Sequence, residues 1–176
     1  PREYPEATTG LSRYTIEHGD LMREYLVYVP EGYTHNTATP ALLNFHGFSD
    51  AAERYIRAAD LRAVADAEGV ILVYPQGSPL NTGESHWNPL LESENNKSDV
   101  DDFGFVSAML DALSERLNVD TARVYATGYS NGAGITYGLA CYLSDRIAAI
   151  APVSGSMYTE MPANCNSTHP TAVAIF

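Results

Sequence analysis

Short apolar segments that end at glycine or proline recur along the chain between longer amphipathic ones. Residues 21–29 alternate loosely between apolar and polar positions, which is typical of a half-buried strand. Residues 41–46 are mostly apolar and residues 70–74 are continuously apolar, as in parallel strands that are buried on both faces. Three further apolar segments predict strands at 123–127, 147–151 and 171–176.

The segments between these strands have helical composition and spacing. Residues 52–68 place Ile56 and a series of alanines along one stripe, and residues 103–117 repeat apolar side chains at helical spacing. Residues 131–143 predict a third helix, whereas residues 76–100 are polar and predict a long loop. Strands that alternate with helices indicate an α/β fold with a mainly parallel central sheet flanked by helices.

The length of 176 residues indicates a single domain, residues 1–176. The last predicted strand, residues 171–176, has no following segment to cover it. We therefore expect that C-terminal strands and helices of the domain are missing from this sequence.

Charge and composition exclude several classes of function. Acidic residues outnumber basic ones 22 to 10, which gives a formal charge of −12, and Lys97 is the only lysine. Such a surface repels phosphate groups, so we expect neither nucleic-acid binding nor attachment to an anionic membrane. No apolar segment approaches the roughly 18 residues that a transmembrane helix needs. Cys141 and Cys165 are compatible with one disulfide or with two buried thiols, and two cysteines alone do not decide between them.

The strongest chemical motif is Gly-x-Ser-x-Gly at residues 128–132. A predicted strand precedes it and a predicted helix follows, which is the setting of a nucleophile elbow. The two glycines allow a sharp turn that exposes the hydroxyl of Ser130, and the helix N-terminus favours developing negative charge. The alternative is a serine that only caps a helix in a glycine-rich turn.

A nucleophilic serine needs donors for the oxyanion that forms on the attacked carbonyl. One donor in this architecture is the backbone N–H after the nucleophile, here that of Asn131, and the other lies in a loop after an earlier strand. His46-Gly47-Phe48 follows the strand at 41–46, so we expect the second donor to be the N–H of Phe48. The side chain of His46 is then a capping or core group.

The sequence offers no convincing general base. His169 is the only histidine after Ser130, and Asp145 is the nearest acid, but both lie on connections at the opposite edge of the predicted sheet. Asp99, Asp101 and Asp102 are close enough for a cation site. The preferred interpretation is that Asp101 or Asp102 caps the helix at 103–117, so no metal is expected.

Six blocks resemble a known family. HGFSDAAERY, ADAEGVILVYPQG, HWNP, DVDDFGFV, VYATGYSNGAG and IAAIAPVSG follow one another in the order found in secreted esterases grouped with polyhydroxybutyrate depolymerases and feruloyl esterases. The resemblance extends from about residue 25 to residue 176. It implies an α/β-hydrolase fold and hydrolysis of carboxylic esters without metal or organic cofactor.

The resemblance also implies roles for individual residues. Ser130 is the nucleophile, Asn131 and Phe48 donate to the oxyanion, and Trp87 lines the substrate side, although a loop anchor is the alternative for this tryptophan. Tyr129, next to the nucleophile, is expected to shape the pocket. By family position Cys141 and Cys165 form a disulfide, which indicates an oxidising compartment and a secreted or periplasmic protein. The triad Asp and His would follow Phe176.

Three functions fit these observations. The first is a serine esterase that acts on short-acyl esters, aryl or feruloyl-type esters, or polyesters through an acyl-enzyme on Ser130. The second is a catalytically inactive fragment or binding module that retains the fold. The third is an acyltransferase that uses the same serine, and nothing in the sequence separates its chemistry from hydrolysis.

Overall fold

The fold is a central sheet with helices on both faces. The computed structural model describes residue 4 and residues 8–176. The strands are β1 (Gly10–His18), β2 (Leu21–Val29), β3 (Thr39–Phe45), β4 (Ile71–Pro75), β5 (Ser78–Pro79), β6 (Ser85–His86), β7 (Val119–Tyr129), β8 (Ala149–Val153) and β9 (Ala172–Val173). The helices are α1 (Ala52–Ala58), α2 (Arg62–Glu68), α3 (Asp102–Arg116), α4 (Asn131–Tyr142) and α5 (Met161–Asn164). No helix within the described residues is long and apolar enough to cross a membrane.

Seven strands form the main sheet in the order β1-β2-β4-β3-β7-β8-β9, while β5 and β6 form a separate hairpin. β2 is antiparallel to β1 and β4, and all pairs from β4 to β9 are parallel. Phe45 pairs with Gly128 at the carboxyl ends of β3 and β7. The predicted α/β fold is confirmed, and this order brings the loops after β3 and β7 to the same edge of the sheet.

The two faces of the sheet bury separate clusters of apolar side chains. Leu26 and Leu72 pack with α1 and α2 on one face, whereas Val27 and Val73 pack with α3 and α4 on the other. Because neighbouring residues of a strand point to opposite faces, β4 must be apolar at every position. This explains its uninterrupted apolar sequence.

One prediction of secondary structure is wrong, and one strand was missed. The single helix expected over 52–68 is two helices, because the carboxylate of Asp60 accepts the backbone N–H of Arg62 at 3.1 Å and so starts α2 anew. Strand β1 was not predicted. Its inward positions include Ser12 as well as Tyr14 and Ile16, so the apolar alternation is weak.

The C-terminal strand is confirmed in position. The N–H groups of Ala172, Ala174 and Phe176 donate to carbonyls of the β7–β8 connection and of β8, which extends the parallel pairing beyond β9 itself. The side chains of Val173 and Phe176 are exposed at this edge.

The disulfide between Cys141 and Cys165 is present. It joins the last turn of α4 to the residue that follows α5. The bridge therefore fastens the segment before β9 to a helix of the central core, as the family resemblance implies.

A buried ion pair joins β2 to the start of α3. Nη2 of Arg23 donates to Oδ1 of Asp102 at 2.7 Å, and both residues are almost completely buried. Oδ2 of Asp102 accepts the backbone N–H of Asn88 at 2.8 Å. Burial raises the pKa of Asp102, while the positive charge of Arg23 opposes that shift. The pair thus links the sheet to the long loop that carries Asn88.

Removing one charge of this pair tests its contribution to stability. Asp102→Asn keeps the shape of the side chain but leaves Arg23 buried without a counter-charge, so we expect a loss of about 3 kcal/mol in the free energy of unfolding. Denaturant unfolding followed by circular dichroism measures it. Asp60→Asn, which disrupts the exposed pair with Arg62, is the matched control and should change stability little. A loss no larger than that of the control would contradict the prediction.

Candidate active site

Ser130 occupies the sharp turn between β7 and α4. Its backbone has φ 55° and ψ −114°, a conformation that residues with side chains rarely adopt, and its side chain is exposed. The N–H of Ser130 donates to the carbonyl of Val153 at 3.0 Å, which ties the turn to β8. The predicted strand–turn–helix arrangement is therefore present, with the hydroxyl at the carboxyl edge of the sheet.

The two motif glycines are required by close backbone contacts. A Cβ on Gly132 would lie 2.6 Å from the carbonyl oxygen of His46 and closer still to that of Phe45. A Cβ on Gly128 would lie 2.6 Å from the carbonyl carbon of Gly132. Any larger residue would separate the first turn of α4 from β3 and displace Ser130.

The loop after β3 lies directly against the nucleophile. A Cβ built on Gly47 would be 3.7 Å from Cβ of Ser130 and 3.4 Å from the ring of Tyr129. Phe48 and Tyr129 are both partly exposed beside it. The structure thus places Tyr129 and the Gly47–Phe48 peptide beside Ser130.

His46 holds this loop from below. It is fully buried, its Nδ1 donates to the carbonyl of Gly47 at 2.7 Å, and its Nε2 accepts the N–H of Gly77 at 2.9 Å. Burial lowers the pKa of His46, so the ring is neutral and the two nitrogens keep these separate roles. Because a trans peptide directs its C=O and N–H in opposite directions, the N–H of Phe48 points away from the imidazole.

A second set of contacts fixes the other side of the loop. The N–H of Ser49 donates to the carbonyl of Ser85 at 2.8 Å, and the hydroxyl of Ser85 donates to the carbonyl of Asp50. Within the described residues, neither the N–H of Phe48 nor that of Asn131 donates to a protein acceptor. Both groups are available for an acceptor from outside the protein.

Trp87 does not line the substrate side, which corrects the prediction. Its side chain is fully buried, Nε1 donates to the carbonyl of His46 at 3.0 Å, and the indole packs edge-on against Phe45. The alternative interpretation as an anchor for the loop describes it better. A tryptophan beside a histidine in a polar loop carries no signal that separates the two roles.

The side chain of Asn131 has a structural task that sequence reasoning missed. Its Oδ1 accepts the N–H of Trp87 at 2.8 Å and its Nδ2 donates to the carbonyl of the same residue at 2.9 Å. This two-point clamp joins the first residue of α4 to the loop at 85–102. No pattern in the sequence indicated it.

The remaining acidic and histidine candidates lie elsewhere. Asp101 caps α3 by accepting the N–H of Gly104 at 2.8 Å, which confirms the preferred interpretation, and Asp102 pairs with Arg23. His169 lies beside Ser144, beyond the far end of α4 from Ser130. None of the five histidines hydrogen-bonds Ser130 within the described part of the chain.

An open cleft of about 500 Å³ adjoins the nucleophile. Its walls include Ser130 and Asn131 on one side, Lys97 from the long loop, and residues 154–159 after β8. Sequence reasoning missed Lys97 and the segment at 154–159. For Lys97 a signal existed, because it is the only lysine of the chain.

Comparisons with known proteins find esterases among the relatives of this chain. The chain is similar to the bifunctional acetylxylan esterase/xylanase XynS20E of Neocallimastix patriciarum, with 34% identity over 145 residues, which is 82% of this chain and 20% of that protein. It is also similar to feruloyl esterase B of Piromyces equi, with 28% identity over 88% of this chain and 28% of that protein. The chain thus spans less than a third of either relative.

A solved structure described as a thermostable esterase has the same fold. Its TM-score is 0.69 at 20% sequence identity, over 93% of this chain and 45% of that one. The family model described as esterase PHB depolymerase matches residues 23–169. This match includes both β3 with its loop and the whole serine elbow, and the chain belongs to the esterase PHB depolymerase family.

Proposed function

We propose that this chain carries the nucleophile and the oxyanion-binding groups of a serine esterase. The observation that carries the proposal is the exposed, strained Ser130 at the elbow, with the Gly47–Phe48 peptide packed against it. The relatives named as acetylxylan and feruloyl esterases support ester hydrolysis as the reaction. The substrate class is short-acyl or aryl esters of the feruloyl type, or polyesters.

The proposed reaction begins when Oγ of Ser130 attacks the ester carbonyl and passes its proton to a general base. The N–H groups of Asn131 and Phe48 donate to the oxyanion, and the N-terminus of α4 stabilises its charge. Collapse breaks the bond to the alcohol, which leaves with a proton, and an acyl ester remains on Ser130. Water then attacks this ester and releases the acid, which restores the serine.

We assign no general base among the described residues, because none of their histidines hydrogen-bonds Ser130. No step of this scheme draws on a metal or an organic cofactor. The disulfide supports an oxidising compartment, so we propose that the protein is secreted or periplasmic.

Replacing the nucleophile tests the central assignment. In the full-length protein, Ser130→Ala should lower kcat for a short p-nitrophenyl ester by at least about a thousandfold, because no acyl-enzyme can form. Steady-state kinetics and the mass of the protein trapped with a fluorophosphonate measure this. Ser114→Ala, a serine of α3 that hydrogen-bonds only its own helix, is the control and should retain activity and labelling. Turnover by the alanine variant would refute the assignment of Ser130.

The role of His46 as a positioning residue is tested by two amide variants. His46→Asn retains a donor near Nδ1 for the carbonyl of Gly47, whereas His46→Gln retains only an acceptor near Nε2 for the N–H of Gly77. We expect kcat to fall about tenfold to a hundredfold in the glutamine variant and clearly less in the asparagine variant, with similar KM, because an oxyanion donor acts in the transition state. Equal losses in both variants would show a general folding role instead.

A further inference from the structure

The only lysine of the chain lies at the mouth of the cleft beside the nucleophile. Nζ of Lys97 lies 4.9 Å from the centre of the Phe48 ring, whose backbone N–H is the proposed oxyanion donor. Lys97 and Ser130 line the same cleft. Lys97 is an exposed residue, and its contact with the face of this aromatic ring favours one position of the ammonium group.

The loop that carries Lys97 is anchored on both sides of it. The N–H of Lys97 donates to Oδ1 of Asn88 at 3.1 Å, and Nδ2 of Asn88 donates to the carbonyl of Ser98 at 2.8 Å. The hydroxyl of Ser98 also bonds Nε2 of the buried His86 at 2.7 Å. The backbone under Lys97 is therefore fixed relative to the nucleophile, since Asn131 clamps the same loop at Trp87.

The ammonium group of Lys97 is not held in an ion pair within the described residues. By contrast, Arg13, Arg23, Arg54 and Arg62 are all paired with carboxylates. The residues that line the cleft include no carboxylate, so Lys97 is their only formal charge. The chain as a whole carries a charge of −12, which repels anions. One free cation at the cleft of such a protein is suited to attract an anionic group of a substrate.

We propose that Lys97 is a specificity-determining residue that selects ester substrates carrying a carboxylate near the scissile bond. The proposal rests on the proposed esterase function of Ser130. The ammonium, which lies over the Phe48 ring, would pair with the substrate carboxylate in the cleft. The ester reaction itself is unchanged, and only the relative use of anionic and neutral esters depends on Lys97.

Matched substrate pairs measure this preference. The first pair varies the alcohol side: 4-acetoxybenzoate and 4-acetoxybenzamide share the acetyl ester and differ in one charge. The second pair varies the acyl side: mono-4-nitrophenyl glutarate is compared with the 4-nitrophenyl ester of glutaramic acid. In the full-length protein, Lys97→Met should lower the anionic-to-neutral ratio of kcat/KM by about threefold to tenfold for at least one pair. Lys97→Glu should lower this ratio further, whereas Lys97→Arg should keep the ratio of the unsubstituted protein. High salt should reduce the ratio of the unsubstituted protein.

Arg116→Met is the matched control, because it also removes one positive charge but lies at the end of α3, at the opposite edge of the sheet from Ser130. It should leave the ratio unchanged. If Lys97 only packs against Phe48, kcat/KM will fall equally for both substrates of each pair. The ratio will then be the same in every variant. That result would overturn the proposal while leaving the esterase assignment intact.

Equilibrium binding separates the two proposals. In a Ser130→Ala background, calorimetry with 4-acetoxybenzoate should show an affinity about threefold to tenfold lower when Lys97 is also changed to Met, with no such change for the benzamide. This readout needs no turnover. Absence of esterase activity in the unsubstituted protein would therefore refute the proposed function, and equal binding by both variants would refute the role of Lys97.

Discussion

The site depends on the close approach of the first turn of α4 to the end of β3. Gly132 lies against the carbonyl oxygens of Phe45 and His46, where no side chain fits. This contact sets the distance between the serine elbow and the loop at Gly47, which come from segments about eighty residues apart. The parallel pairing of Phe45 with Gly128 aligns the ends of β3 and β7. The absence of a Cβ on Gly132 then lets the first turn of α4 come into contact with the end of β3. Ser130 and the proposed oxyanion donors are neighbours for this reason.

Buried polar groups then determine the direction of the loop peptide. His46 bonds the carbonyl of Gly47 and the N–H of Gly77, and Trp87 bonds the carbonyl of His46. Each of these groups is out of water, so an unmade hydrogen bond would cost free energy and the alternative orientations of the peptide are disfavoured. The lowered pKa of His46 preserves the neutral ring that this pattern requires. The buried side chains of His46 and Trp87 thus orient the peptide that carries the N–H of Phe48.

The sequence predicted the elements whose signal is local. Continuous apolar strands, glycine-bounded turns and the Gly-x-Ser-x-Gly motif located β3, β4, β7 and Ser130, because each depends on neighbouring residues. Sequence reasoning failed where the role of a residue depends on a partner that is distant in the chain. The clamp of Asn131 on Trp87 joins residues 44 positions apart, and the burial of Trp87 depends on β3. The break between α1 and α2 was missed for a different reason, since Asp60 competes with a helix that its neighbours favour.

The arginines and the only lysine of the chain differ in their electrostatic surroundings. The arginines of the described residues mostly neutralise carboxylates, including the buried Asp102, which holds the N–H of Asn88 in the long loop. Asn88 in turn accepts the N–H of Lys97, so the buried ion pair is connected through one amide side chain to the only lysine. A loop held in this way keeps the backbone of Lys97 at a constant position relative to Ser130. Loss of the ion pair would therefore disturb the cleft through Asn88, although neither Arg23 nor Asp102 lines the cleft.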